Sequence, residues 1–136
     1  MAVLVDSSVW IAAANPRNAE CSLLRRMILQ NELIHAVRPI QVEVCQGAKT
    51  EAEFHKLWNA FLGFDFLEIT DKHWGLSAWN YYKCRKKGIT LSTLDCLIAT
   101  MGKEHGVPVW SLDKSFHQIA PVIGVEEFTY LKPNSA

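Results

Sequence analysis

The sequence predicts a three-layer α/β/α sandwich with a mostly parallel central sheet of about five strands. Short apolar or β-branched runs alternate with longer segments of helical periodicity, which is the pattern of βαβ units. Strands joined in this way are parallel and are covered by helices on both faces. The chain has 136 residues, of which 49% are hydrophobic, and it contains no linker, repeat or low-complexity tract. Residues 1–136 are therefore expected to form a single domain.

The first half of the chain is expected to contain two strands and four helices. The β-branched run AVLV stops at Asp6, and Asn15-Pro16 ends the helix that follows. Pro39 suits a first helical turn, and Gly47 suits the end of the same helix. The expected elements are, in order, a strand at 2–5, a helix at 9–14, a helix at 18–30, a strand at 33–37, a helix at 39–45 and a helix at 51–62.

The second half continues the alternation. Asp71 is expected to cap a long helix that ends in a basic run and stops at Gly88. The expected elements are a strand at 66–69, that helix, a helix from about 95 to 105, a strand at 107–111, a short helix from 113, a last strand near 122–125 and a C-terminal helical turn.

Four acidic residues lie where such a sheet would bring them together. Asp6 directly follows the first strand, and Asp113 directly follows the strand at 107–111. Glu43 and Asp95 lie near the expected beginnings of helices, which reach the same edge of a parallel sheet. Ligands of open α/β sheets bind at this carboxyl edge. The four acids are therefore expected to converge.

Each acid also has a structural explanation when it is taken alone. Asp6 and Asp113 could cap helices, Ser92-x-x-Asp95 has the spacing of a capping box, and Glu43 could be a solvated helix residue. The four together differ, because each stands beside strongly apolar sequence, where an isolated charge is costly. Carboxylates that share a partly dry cleft repel one another, and a hard divalent cation relieves that repulsion. The acids therefore predict a Mg²⁺ or Mn²⁺ site.

Four segments give the sequence a specific resemblance to a known family. They are VLVDSSVWIAA at 3–13, VEVCQGA at 42–48, GITLSTLDCLIATMGKEHGVPVWSLDKSF at 88–116 and the region 119–125. With these segments the chain resembles PIN-domain ribonucleases, and more narrowly the VapC toxins of bacterial and archaeal toxin–antitoxin pairs. The resemblance implies that an acidic quartet and two small hydroxyl positions beside it form the active site: Asp6, Glu43, Asp95 and Asp113, with Ser8 and Ser111. Ser111 stands where the family more often has Thr, a change that keeps the hydroxyl.

The implied activity is that of a Mg²⁺- or Mn²⁺-dependent endoribonuclease acting as a toxin. Asp6 and Asp95 are expected to be the principal metal ligands, with Asp113 completing the first site or a second one. Glu43 is expected to ligate or to orient the attacking water. A bound metal polarises the phosphoryl oxygen and lowers the pKa of its water. Attack by that water needs no 2′-hydroxyl, so the products should carry 5′-phosphate and 3′-hydroxyl ends.

The resemblance also implies partners. A homodimer is expected, bound by an antitoxin of the VapB type whose extended tail covers the acidic groove. The helices at 18–30 and 51–62 are the expected apolar contact surface of the dimer.

A basic run before Gly88 is a candidate contact for RNA phosphates. It consists of Lys83, Arg85, Lys86 and Lys87. A solvated helix end, favoured by the helix dipole, explains the same run equally well.

Composition limits the expected surface charge, cysteine chemistry and cellular location. The formal net charge is zero, which excludes a uniformly basic surface for non-specific nucleic-acid binding. The four cysteines form no C-x-x-C pair and lie in apolar or helical segments, so buried thiols are expected rather than disulfides or zinc ligands. The segment MAVLVD lacks a basic n-region and meets a charge at Asp6, and no apolar run is long enough to span a bilayer, so a cytoplasmic location is expected.

Two other readings remain open. A small-substrate metal-dependent phosphohydrolase of the haloacid-dehalogenase type needs Asp-x-Asp after the first strand, whereas Asp6-Ser7-Ser8 lacks the second Asp. A PIN-like RNA-binding or scaffold module without catalysis would be favoured by loss of one acid, and here all four acids are present.

Overall fold

Strands alternate with helices along the chain, as the sequence predicts. The computed structural model describes residues 2–129. The elements are β1 Ala2–Val5, α1 Ser7–Ala13, α2 Ala19–Leu29, β2 Leu33–Ala36, α3 Arg38–Gln46, α4 Glu51–Ala60, β3 Asp65–Phe66, α5 Asp71–Lys86, α6 Thr93–Glu104, β4 Val109–Trp110 and α7 Phe116–Ile123. Within this part of the chain, no helix has the length and apolar character needed to cross a membrane.

The strands form one parallel sheet in the order β3-β2-β1-β4. β1 is central, and Val3, Leu4 and Val5 have no exposed surface because the sheet is covered on both faces. The helices pack in two groups, α1 to α4 and α5 to α7. The predicted three-layer architecture is confirmed.

The prediction of a fifth strand near 122–125 is wrong. Val122 and Ile123 are the last residues of α7, and Gly124 ends that helix with a left-handed φ of 87°. The run looked β-branched, but Phe116, Ile119 and Ile123 follow helical spacing and bury one face of α7. Among residues 2–129 the sheet therefore has four strands, with one further parallel bridge between Val109 and Glu127.

Several boundaries also differ. α1 begins at Ser7 rather than at residue 9, and β3 and β4 have only two residues each. Thr70, not Asp71, is the N-cap of α5, and its backbone N–H donates to Nδ1 of His73. Residues 126–129 are not helical, and the rest of the expected C-terminal turn lies outside the described residues.

Helices α5 and α6 run antiparallel. Near the start of α5, Lys72 Nζ lies 3.8 Å from a carboxylate oxygen of Glu104, the last residue of α6. Further along α5, the carbonyl of Ser77 accepts a hydrogen bond from Sγ of Cys96, near the start of α6, at 3.2 Å. The middle of α5 therefore lies beside the first turn of α6, where Asp95 stands.

Helix α6 is the most deeply buried helix of the described chain, with every residue from 96 to 102 buried. Gly102 allows it to lie directly on β4, because a Cβ there would come within 2.5 Å of Val109 Cγ2 and 2.9 Å of the Val107 carbonyl oxygen. The core also encloses the thiols of Cys45, Cys84 and Cys96, as expected, whereas Cys21 is only partly buried.

Gly102→Ala should therefore destabilise the fold by about 1–3 kcal/mol, because the added methyl group forces α6 away from β4. Gly75→Ala in α5 is the matched control. No atom lies within 4 Å of its added Cβ, so alanine should stabilise the exposed helix by about 0.5–1 kcal/mol. Urea unfolding of the two variants measures both changes, and equal stabilities would contradict this account of α6.

Candidate active site

The site is built around the carboxylate of Asp6, at the end of β1. Asp6 is only 3% exposed. It occupies the N-cap position of α1, but its side chain accepts no hydrogen bond from the helix backbone. Instead Oδ2 accepts from the hydroxyls of Ser8, at 2.8 Å, and Ser111, at 2.9 Å. Helix capping therefore does not explain Asp6.

Both serines also bind the loop after β4. Ser8 Oγ accepts a hydrogen bond from the backbone N–H of Leu112 at 2.9 Å, and Ser111 Oγ accepts one from the N–H of Asp113 at 3.1 Å. Each hydroxyl uses its proton on Asp6 and its lone pairs on the loop. The loop that carries Asp113 is thereby held against the end of β1.

Glu43 reaches the same cluster through Ser7. Ser7 Oγ donates to Glu43 Oε1 at 2.7 Å and lies 3.4 Å from Asp6 Oδ1. Glu43 is the sixth residue of α3, in the middle of the helix, not near its beginning as expected. Ser7 was not among the predicted site residues. Its only signal in the sequence is a hydroxyl next to Asp6 at the end of a strand.

Asp113 has a structural role as well as a place in the site. Its Oδ1 accepts hydrogen bonds from the backbone N–H and the hydroxyl of Ser115, at 3.0 and 2.9 Å. Ser115, not Asp113, is the N-cap of α7. The carboxylate therefore shapes the turn before the helix instead of capping it.

Asp95 lies in the first turn of α6. Its backbone N–H donates to Oγ of Ser92, the N-cap, at 3.0 Å. Burial raises the pKa of the Asp95 carboxyl, and the negative charge of Asp6 raises it further. Asp113 and Glu43 add smaller effects in the same direction, while hydrogen bonding by Ser92 opposes them. All three other acids thus act on Asp95, so the four residues share one electrostatic environment.

The donor set matches a hard cation, since it consists of carboxylate and hydroxyl oxygens. Burial and the charges of the other acids raise the pKa of Asp95, and a bound cation would offset that repulsion. Among residues 2–129, however, no three His, Cys, Asp or Glu side chains are already close enough to hold a metal ion. A cation would therefore have to draw the carboxylates closer together.

The basic run lies at the end of α5 and just beyond it. Lys83 is partly buried, and Arg85, Lys86 and Lys87 are exposed. Ser77, in the middle of α5, contacts Cys96 beside Asp95, so the basic run lies about 9–15 Å further along α5 from that contact. The same residues occupy the last turn of a helix, where the dipole favours cations.

The family model of the PIN domain matches residues 3–121, which include all four acids. The chain belongs to the PIN domain family. No curated protein sequence matches this PIN domain significantly.

Among solved structures, this PIN domain is similar in fold to toxin–antitoxin proteins. VapBC2 from Rickettsia felis, bound to a promoter DNA fragment, matches with a TM-score of 0.77 at 16% identity, over 95% of this chain and 100% of that chain. VapBC-5 from Mycobacterium tuberculosis matches with 0.70 at 16% identity, over 95% and 98%. VapC20 from the same organism, a sarcin-ricin loop cleaving toxin, matches with 0.66 at 15% identity, over 85% and 92%.

Replacing Asp95 by Asn should leave the metal-free protein as stable as the parent at neutral pH, or more stable. Folding raises the pKa of Asp95, so the folded state holds its proton more tightly than the unfolded state, whose pKa is near the ordinary 3.8. The resulting stability is fully present below that value and is lost as pH rises through the folded pKa. The advantage of Asn should therefore shrink as pH falls.

Thermal melts in EDTA across this pH range test the prediction, with Glu68→Gln, an exposed acid on the segment after β3, as control. Adding Mg²⁺ should raise the Tm of the parent and change that of Asp95→Asn little. If Asp95→Asn is less stable than the parent at neutral pH and responds equally to Mg²⁺, Asp95 only stabilises the start of α6 and does not bind the metal.

Proposed function

We propose that this protein is a Mg²⁺- or Mn²⁺-dependent endoribonuclease that acts as the toxin of a toxin–antitoxin pair. The observation that carries the proposal is the convergence of Asp6, Glu43 and Asp113 on the half-buried Asp95. Four acids in one environment destabilise a fold unless they serve a ligand, and oxygen donors fit a divalent cation. Membership of the PIN domain family and the toxin–antitoxin folds it resembles support the same conclusion.

Asp6, Asp95 and Asp113 would hold the cation, which supplies an activated water and neutralises phosphate charge when bound. Ser8 and Ser111 donate to the carboxylate of Asp6 and fix its orientation towards the site. The carboxylate therefore does not bind a backbone N–H of α1. Ser7 holds the carboxylate of Glu43 towards the same place. Glu43 is thereby positioned to accept a proton from the attacking water, and the water needs no 2′-hydroxyl from the RNA.

The two other readings are less well supported. Ser8 stands where a phosphohydrolase of the haloacid-dehalogenase type would need its second Asp, and its hydroxyl donates to Asp6. A binding module without catalysis would have no use for four mutually repelling acids. The endoribonuclease therefore remains the better explanation.

Asp6→Asn and Asp95→Asn should each lower RNA cleavage on the order of 100-fold or more, because each removes a charge that holds the cation. Gel analysis of a labelled single-stranded RNA, with Mg²⁺ or Mn²⁺ and with EDTA, measures the loss. Glu68→Gln should cleave like the parent, and the products should carry 5′-phosphate ends. Cleavage that persists in EDTA, or in both Asn variants, would contradict the mechanism.

The basic run supports a path for RNA beside the acids. Lys83, Lys86 and Lys87 lie at the end of α5, the helix whose middle contacts the first turn of α6. Phosphates are bound chiefly by such side chains. The substrate phosphates would follow this helix end before they reach Asp95. The run thereby provides a local positive patch on a chain whose formal net charge is zero.

An antitoxin of the VapB type is the proposed partner. The described chain has an apolar groove of about 570 Å³ between α1, α2 and α4, lined by Trp10, Leu24, Leu57, Phe61 and Phe64 among others. Helix α4 has no fully buried residue, so one of its sides remains available. We assign the groove to an apolar segment of the antitoxin. The expected dimer surface involved the same two helices, at 18–30 and 51–62, and the homodimer stays a prediction.

Ala13→Trp should prevent co-purification of the co-expressed antitoxin, because the indole fills the groove, while the protein keeps its mass in solution and its RNA cleavage. Ala78→Trp, on the exposed surface of α5, is the control of equal bulk. Light scattering reports the mass, and a dimer is expected for the parent. A parent monomer at high concentration would reject the dimer, and antitoxin retained by Ala13→Trp would reject the groove.

A further inference from the structure

Helix α5 exposes two stacked aromatic side chains that the fold does not require. The rings of Trp79 and Tyr82 have centroids 5.5 Å apart and an angle of 17° between their planes. Trp79 is 56% exposed and Tyr82 is 50% exposed. Nζ of Lys86 lies 5.5 Å from the centroid of the Tyr82 ring. The spacing i, i+3, i+7 places all three on one face of the helix.

This face points away from the core. The buried residues of α5 are Ser77, Asn80 and Cys84, and they pack towards α6 on the opposite side of the helix. Neither aromatic ring of the pair belongs to the hydrophobic core. Large aromatic side chains left in water mark a surface that binds something.

A second exposed aromatic pair allows a comparison. Phe54 and Trp58 on α4 stack with centroids 6.2 Å apart and an angle of 15°, and each is 39% exposed. That helix begins with the acidic residues Glu51 and Glu53. The pair on α5 instead stands in the same two turns as the basic run. Charge therefore distinguishes the two pairs, and only the pair on α5 suits an anionic partner.

We propose that Trp79 and Tyr82 form a stacking subsite for unpaired bases of the RNA substrate, an inference that rests on the proposed ribonuclease function. Aromatic faces stack with any base but only where the base is not paired, so the subsite selects single-stranded RNA without reading its sequence. Lys86 and its basic neighbours hold the phosphates of the same nucleotides.

The geometry places this subsite outside the reacting phosphodiester. Ser77, two residues before Trp79, contacts Cys96 beside Asp95. Lys86 lies about 10 Å beyond Trp79 along the helix axis, at about 1.5 Å per residue. An RNA strand that leaves the acids along α5 would meet the two rings first and the cations next. The rings thus bind nucleotides flanking the cleaved bond and contribute to affinity rather than to chemistry.

The test measures RNA binding by the full chain carrying Asp6→Asn, which prevents cleavage. The probes are a labelled single-stranded RNA and a labelled RNA duplex, titrated by fluorescence anisotropy at several salt concentrations. Adding Trp79→Ala and Tyr82→Ala should weaken single-strand binding about tenfold or more and leave duplex binding and the salt slope unchanged. Trp79→Phe with Tyr82→Phe should restore binding, and Phe54→Ala with Trp58→Ala should have no effect.

Equal single-strand affinities for the parent and the α5 double variant would overturn the stacking subsite and leave the ribonuclease proposal intact. A parent that binds neither RNA would overturn both proposals. Light scattering of the same samples separates a third outcome. If the α5 double variant loses mass relative to the parent, the aromatic pair is a contact between protein chains, and the RNA subsite is overturned.

Discussion

The buried carboxylate of Asp6 is the constraint on which the rest of the site depends. A charge that is 3% exposed is costly unless it is well hydrogen-bonded, and here serine hydroxyls supply the partners. Two of those hydroxyls also bind the loop after β4, and the N–H of Asp6 donates to the carbonyl of Trp110. The requirement to satisfy one buried anion therefore fixes two separate loops against each other.

The other acids are added to this arrangement at an electrostatic cost. Asp95 can approach Asp6 only because α6 begins at a fixed place, held by Ser92 at its start and by the close contact of Gly102 with β4. The burial of α6 is thus what holds a carboxylate where its charge is disfavoured. Local instability maintained by a rigid surrounding structure is characteristic of functional sites.

The sequence predicted the parts of this site that depend on position in a parallel sheet. Asp6 and Asp113 follow strands, and the carboxyl ends of parallel strands lie at one edge, so their approach follows from topology. The link from Ser7 to Glu43 was not predictable in the same way, because it depends on how α3 is rotated against α1. The fifth strand was wrong because a short β-branched run is ambiguous, and only the tertiary burial of Ile119 and Ile123 decides for a helix.

The distribution of charge explains how a protein of zero net charge can receive a polyanion. The basic run lies at the end of α5, beyond the contact of Ser77 with Cys96, and the charges that act on the pKa of Asp95 are those of the other acids. A lysine or arginine that paired with one of the acids could no longer bind a substrate phosphate. The acid in that pair could no longer bind a metal ion. The basic run lies about 9–15 Å along α5 from the contact of Ser77 with Cys96, so the two sets of charges stay apart. Phosphates can then be bound along α5, while the acids remain available for a cation at the scissile position.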